Sequence, residues 1–143
     1  IVNNSEDDIC LMFNSAFAEY ANSELDLFPE DVADEQAELS QQIYENVNNG
    51  VYRAGFAGAQ ALYEHWARRV FDTLDVMEAR LATQRYLMGS RITEADWRLF
   101  CTLIRFDAVY YVHLSAMYDE LLIIPICGVI CETFINTAIF RRR

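Results

Sequence analysis

The sequence contains no lysine, and its first 52 residues contain no basic residue of any kind. Those residues carry twelve carboxylates, and all eleven arginines follow them, so the net charge is −11 at pH 7. We attribute the missing lysine to genome composition rather than to function. Because an acidic surface repels phosphate backbones, the composition argues against nucleic-acid binding.

Long hydrophobic runs are also absent, although 53% of the residues are hydrophobic. The longest candidate, residues 121–131, is interrupted by Pro125 and Gly128. It is shorter than the roughly 18–20 apolar residues that span a bilayer. We therefore expect no membrane span. A chain of 143 residues has the size of one domain and can bury a core without metal or disulfide support.

Residues typical of catalytic and metal centres are scarce. His65 and His113 are the two histidines, and neither lies in a pattern typical of a catalytic triad. No Cys or His pair has zinc spacing with a matching second pair, and "GVYRAGFAG" lacks the Lys and Ser/Thr of a P-loop. We predict no metal site. The four cysteines lie in apolar stretches of a sequence that shows no signal peptide: Cys10, Cys101, Cys127 and Cys131. This pattern indicates buried free thiols in a reducing compartment.

Helical periodicity dominates what is present. Ser5 precedes three carboxylates and an apolar repeat, which predicts an N-capped amphipathic helix of about 15 residues. Pro29 suits the first turn of a second helix, which "NNG" at 48–50 should stop. A third helix from Gly58 keeps one apolar face for about six turns. No alternating pattern argues for a sheet, so the predicted class is all-α.

A fourth helix begins at a capping box formed by Thr93 and Asp96. The helix's own apolar residues cover almost its whole circumference, so we expect it at the centre of a helical bundle. Asp96 and Arg98 should lie near its start, where water or partners can reach them. After His113 the pattern is compatible with one or two short helices broken at Pro125.

Tyrosines are the remaining candidates for chemistry. Tyr52 lies in "NNGVYRAGFA", an apparent loop, and "FDAVYYVH" places Tyr110 near the end of the fourth helix. Phenolic hydroxyls on an apolar wall can orient an aromatic ligand or stabilise an oxyanion. Core packing with a satisfied hydroxyl is the alternative for either tyrosine, and composition leaves the choice open.

Several segments together resemble the xi-class glutathione transferases, or glutathionyl-hydroquinone reductases: "IVNNSEDDI", "DLFPE", "IYENVNNGVYRAGFA" and "LDVMEARLATQRYLMGSRITEADWRLFCTLIRFDAVY". The similarity runs from Ile1 to about His113. It implies a glutathione-transferase C-terminal-like helical bundle at residues 25–143, preceded at residues 1–21 by the last helix of a truncated thioredoxin-like domain. It also implies a cytoplasmic protein, a possible homodimer, glutathione as co-substrate and aromatic hydroquinone conjugates as ligands.

The resemblance assigns roles residue by residue. Ser5 and Glu6 match a glutathione-binding Glu-Ser pair, although in reversed order. Tyr52 and Tyr110 match tyrosines that line the hydroquinone pocket. Thr93 and Asp96 match the capping box that transferases of this fold share. Family members take glutathione off the conjugate with a cysteine in a Cys-Pro-Trp segment, which this sequence lacks, so we expect that nucleophile upstream of Ile1.

Two alternatives remain. A non-catalytic helical interaction module could have kept the transferase bundle for folding or partner binding, as the reversed Ser5-Glu6 order and the divergent residues 114–143 suggest. The other alternative is a protein that folds poorly, because "LLIIPICGVIC" is an aggregation-prone segment unless it is buried.

Overall fold

Helices make up the framework of the part of the chain that the structure describes. The structure, a computed structural model, describes residues 3–20 and 25–110. Within these residues the α-helices are α1 (Glu6–Ser15), α2 (Ala33–Ile43), α3 (Gly50–Gly55), α4 (Gln60–Leu81) and α5 (Glu94–Leu103). The described part contains no β-strand, which confirms the all-α prediction. The predictions for His113, Cys127, Cys131 and residues 114–143 fall outside it.

Helix α1 begins as the sequence indicates and ends earlier. The Ser5 hydroxyl accepts a hydrogen bond from the Asp8 amide at 3.2 Å, which caps the first turn. The α-helix covers ten residues, and a short 3₁₀ turn follows at Ala18–Tyr20. None of its residues is buried, because its apolar side lies on the surface of the described residues: Leu11, Met12 and Phe13 are exposed there.

The segment "NNG" does not stop the second helix, so the predicted loop around Tyr52 was wrong. Helix α2 passes into a π-helical turn at Tyr44–Asn48 and then almost directly into α3, with Asn49 in a helical backbone conformation. Gly50 serves close packing instead. A Cβ atom there would lie 2.9 Å from Cγ2 of Val70 on α4. The glycine therefore lets α3 and α4 approach each other.

The hydrophobic core lies between α2, α3, α4 and α5. Helix α4 supplies the buried side chains Ala67, Val70, Leu74 and Met77. The predicted apolar face is thus confirmed from Val70 onward, whereas its earlier member Leu62 is 48% exposed. Other fully buried members come from the neighbouring elements: Ile43, Val47, Leu87 and Leu99. The connection after α4 turns sharply at Gly89, whose φ of 91° favours glycine.

Helix α5 begins at the capping box of Thr93 and Asp96, which is present in the structure. The Asp96 carboxylate accepts from the Thr93 amide at 2.8 Å, and also from the Leu87 amide at 2.8 Å. Of the two alternatives expected for Asp96 and Arg98, water or partners, the structure shows protein partners at both. Asp96 is 4% exposed and the Arg98 side chain 8%, because each is enclosed by hydrogen-bond partners. Burial on α5 is also incomplete, since Cys101 is exposed, and the C-cap residue Ile104 is 52% exposed.

Candidate functional site

A cavity of about 890 Å³ lies where the start of α1, the 25–28 segment, the Tyr44–Asn48 turn, α3 and α5 meet. All four residues that the sequence assigned to ligand binding line it: Ser5, Glu6, Tyr52 and Tyr110. They are separated by up to 105 positions in sequence, so the fold brings them to one space. The volume is within the usual range for small-molecule sites.

Two tyrosines form a pair on one wall of this cavity. The hydroxyls of Tyr52 and Tyr110 lie 2.8 Å apart, and their rings meet edge to face with centroids at 5.5 Å. Tyr52 is 49% exposed while Tyr110 is 4% exposed, so Tyr52 offers its surface to the cavity and Tyr110 supports it. Burial raises the pKa of Tyr110, and the bond with Tyr52 acts in the same direction. Its hydroxyl is therefore protonated at neutral pH.

Ser5 and Glu6, the other two candidate residues, lie at the N-terminus of α1. Ser5 is the N-cap, and Glu6 is the first helical residue and is exposed. The side chain of Asn3 organises this end, because its Oδ1 accepts from the Ser5 amide at 2.8 Å and its Nδ2 donates to Asp8 at 2.9 Å. The positive end of the helix dipole and a Ser hydroxyl suit a carboxylate ligand, whereas the Glu6 carboxylate suits an ammonium group.

An ion-pair network, buried at Arg98 and Glu94 and exposed at Asp7, joins α1 to the rest of the cavity wall. Arg98 Nε donates to Glu94 Oε1 at 2.6 Å, and Arg98 Nη2 donates to Asp7 on α1. Glu94 also accepts from the Ser40 hydroxyl at 2.9 Å. Burial lowers the pKa of Arg98, but the Glu94 and Asp7 carboxylates raise it by more, so the pKa of Arg98 lies above its ordinary value. Sequence analysis missed this network because its members come from three helices.

An amide side chain fixes the π-helical turn against α5. Asn48 Nδ2 donates to the carbonyl of Arg98 at 3.0 Å and to Thr102 Oγ1 at 2.5 Å. Because a carbonyl oxygen can only accept, these contacts set the orientation of the amide. The sequence signal was visible as "NN", but it indicated a helix end instead of a helix–helix contact.

Two free cysteines line the cavity, Cys10 on α1 and Cys101 on α5. Cys101 is exposed, so the prediction of buried thiols was wrong for this residue, which faces outward from a helix expected to be enclosed. Burial raises the pKa of the Cys10 thiol, and the Glu94 carboxylate adds to the effect while Arg98 opposes it. Since the thiolate is the nucleophile, this environment disfavours attack by Cys10 at neutral pH.

Neither a cluster of metal-ligand side chains nor a membrane-spanning helix occurs among the residues that the structure describes. Across residues 3–20 and 25–110, no group of three or more His, Cys, Asp or Glu side chains could hold a metal ion. None of the described helices combines the length and apolar content needed to cross a bilayer.

Comparison with known proteins extends this picture. Residues 60–125 match the model of the family "Glutathione S-transferase, C-terminal domain". The chain is 44% identical over 115 residues to glutathionyl-hydroquinone reductase PcpF of Sphingobium chlorophenolicum, covering 80% of this chain and 37% of that protein. The chain therefore spans about a third of the length of the curated relatives it matches.

Solved structures agree with the sequence matches. The glutathione-bound structure of YqjG, a glutathione transferase homologue from Escherichia coli K-12, has a TM-score of 0.86 at 36% identity, covering 96% of this chain and 45% of that one. The xi glutathione transferase ECM4 of Saccharomyces cerevisiae, in complex with glutathione, has a TM-score of 0.84 at 30% identity, covering 99% and 49%.

Proposed function

This chain matches the C-terminal part of the xi-class glutathione transferases in sequence and in fold, and on that premise we propose that it binds the substrate of a glutathione-dependent reductase. That reductase removes glutathione from glutathionyl-hydroquinones. One observation carries the proposal: the Tyr52–Tyr110 pair and the Ser5–Glu6 helix start line the same cavity. A glutathione conjugate has a polar peptide end and an aromatic end, and this cavity offers a matching site for each.

The peptide end of the conjugate binds at α1 in this proposal. The hydroxyl of Ser5 and the amides of the first turn hold the γ-glutamyl carboxylate, and Glu6 holds its ammonium group. Arg98 binds one carboxylate oxygen of Asp7. That ion pair fixes the position of the helix start relative to the aromatic wall.

The aromatic end binds at the tyrosine pair. Tyr110, protonated and buried, orients the Tyr52 hydroxyl through their 2.8 Å contact. The pair then donates a hydrogen bond to a phenolic oxygen of the hydroquinone. A thiolate attacks the glutathione sulfur and forms a disulfide with it, and the carbon–sulfur bond breaks. The electron pair passes to the ring carbon, which takes a proton. The tyrosine hydroxyls stabilise the charge on the phenolic oxygen during that step.

The attacking thiolate comes from outside these 143 residues in this proposal, from a cysteine upstream of Ile1. The raised pKa of Cys10 argues against that one thiol as the nucleophile. Residues 1–21 then complete a thioredoxin-like domain, and residues 25–143 form the helical domain. A cytoplasmic site of action fits free thiols and a glutathione co-substrate. The chain mixed with glutathionyl-hydroquinone and glutathione should release no hydroquinone above the uncatalysed rate, and appreciable turnover would overturn the assignment.

The binding assignment is tested by hydroxyl deletion. Calorimetric titration with glutathionyl-hydroquinone should show that Tyr52→Phe and Tyr110→Phe each weaken binding roughly three- to tenfold, the worth of one hydrogen bond. Tyr20→Phe is the matched control, because Tyr20 is 81% exposed and does not line the cavity. A double Tyr52→Phe, Tyr110→Phe variant that binds as tightly as the parent would refute the proposal.

A non-catalytic interaction module is the second candidate, favoured by the exposed apolar side chains of α1 and the following turn: Leu11, Met12, Phe13, Phe17 and Tyr20. Exposed apolar clusters of this kind are typical of surfaces that contact another protein segment. The same titration separates the candidates. A pure scaffold shows no hydroquinone binding that depends on the tyrosine hydroxyls.

A further inference from the structure

The charges on the cavity wall are unequally neutralised. Its basic residues are Arg98 and Arg105. Arg98 forms ion pairs with both Glu94 and Asp7, so its charge is fully compensated. Arg105 forms no ion pair within residues 3–20 and 25–110. In that part of the chain, Arg105 is therefore the cavity's uncompensated positive charge.

The guanidinium of Arg105 is held in place by backbone. Its Nε donates to the carbonyl of Cys101 at 2.8 Å, one turn earlier on α5. This contact uses one of the five guanidinium N–H groups and restrains the side chain beside the cavity. The terminal nitrogens form no hydrogen bond within the described residues, and their planar fork matches the two oxygens of a carboxylate.

Arg105 is also electrostatically close to the tyrosine pair. Burial and the bond to Tyr52 raise the pKa of Tyr110, and the positive charge of Arg105 acts against them. Arg105 comes directly before the π-helical turn Phe106–Tyr110, which carries Tyr110. The Arg105 carbonyl accepts a hydrogen bond from the Val109 amide of that turn at 2.9 Å. The aromatic wall thus combines two neutral hydroxyl groups with one free cation.

We propose that Arg105 determines specificity at the aromatic end of the cavity, where it selects conjugates whose ring carries an anionic oxygen such as a carboxylate. This inference rests on the proposed function. A neutral hydroquinone finds its hydrogen bonds at Tyr52 and Tyr110 and has no use for a guanidinium. A ring carboxylate forms charge-assisted hydrogen bonds with it, and these are stronger than neutral ones.

Two conjugates that differ only in the ring charge test the proposal: the glutathione adducts of hydroquinone and of 2,5-dihydroxybenzoate. We expect calorimetric titration of the 143-residue chain to show about tenfold tighter binding of the carboxylated adduct. Arg105→Gln should abolish this preference by weakening the carboxylated adduct about tenfold more than the hydroquinone adduct. Arg105→Lys should restore part of it. Arg68→Gln, which removes an exposed charge of α4 outside the cavity, should change neither affinity.

Each outcome has a defined meaning. Equal binding of both adducts by the parent, or a preference that survives in Arg105→Gln, overturns the inference. The proposed function then still stands if Tyr52→Phe weakens both adducts. Loss of both adducts in Arg105→Gln, with a melting temperature equal to the parent's, also overturns it, because the residue would then shape the wall without selecting charge. If neither adduct binds the parent, the inference and the proposed function both fail.

Discussion

The carboxylate of Asp96 should be among the most sensitive single groups for stability. It is 4% exposed and accepts from two backbone amides, those of Thr93 and Leu87, each at 2.8 Å. Asp96→Ala leaves both of these buried amides without a partner, at about 1–3 kcal/mol each, and it also removes the acceptor of the Thr93 hydroxyl, which can rotate. The sum is about 2–6 kcal/mol, and the lower half applies because the substitution also removes the cost of burying a charge. We expect a loss of about 2–4 kcal/mol.

The experiment is urea and thermal unfolding followed by circular dichroism. A loss of this size corresponds to a drop in melting temperature of roughly 6–12 °C. Asp96→Asn keeps one acceptor oxygen and should lose about half as much. Asp75→Ala, at an exposed position of α4, is the matched control and should stay within about 0.5 kcal/mol of the parent. If Asp96→Ala and Asp75→Ala unfold at the same urea concentration, the cap carries no such energy and the reasoning fails.

The pH dependence of the same variants gives an independent check. Burial raises the pKa of Asp96, and the hydrogen bonds from Leu87 and Thr93 only partly oppose it. A raised pKa means that the folded state binds the proton more tightly than the unfolded state. The stabilisation that comes from proton binding at Asp96 is fully present below the ordinary pKa of an Asp carboxyl. It is lost as the pH rises through the raised pKa of Asp96 in the folded state. The advantage of the parent over Asp96→Asn should therefore narrow with rising pH, and a widening gap would contradict the assignment.

Two further predictions concern packing and reactivity. Gly50→Ala should cost about 1–3 kcal/mol in unfolding experiments, because its Cβ would meet the stiff side chain of Val70 at 2.9 Å, whereas Gly58→Ala, with no atom within 4 Å, should be neutral or slightly stabilising. Equal stability of the two variants would contradict the close approach. Iodoacetamide at pH 8 should modify exposed Cys101 faster than Cys10, whose pKa is raised by burial, as followed by peptide mass spectrometry. Faster modification of Cys10 would show that its environment has been misjudged.

The sequence predicted features that depend on near neighbours in the chain. The capping box of Thr93 and Asp96 and the N-cap of Ser5 each involve residues three positions apart, so local spacing was enough to identify them. The apolar face of α4 is equally local, because periodicity along one helix defines it.

Features that depend on tertiary contacts were wrongly predicted or missed. Gly50 looked like a helix stop because its contact, Val70, is twenty positions away and on another helix. The sequence left water or partners open for Arg98, because one of its two carboxylate partners, Asp7, is 91 positions earlier. Tyr52 and Tyr110 could each be suspected, but their hydroxyl contact across 58 positions required the fold.

The attachment of α1 has a consequence for how the cavity can be lost. This helix buries no side chain among the described residues and is tied to its neighbours by polar contacts, chiefly Asp7 to Arg98 and the Asn14 amide to Asp26 and Leu27. Charge pairs weaken in salt, whereas the apolar packing of α4 against α3 does not. Concentrated salt should thus detach the α1 end of the cavity while the bundle stays folded, and amide exchange should record α1 opening alone, well before global unfolding.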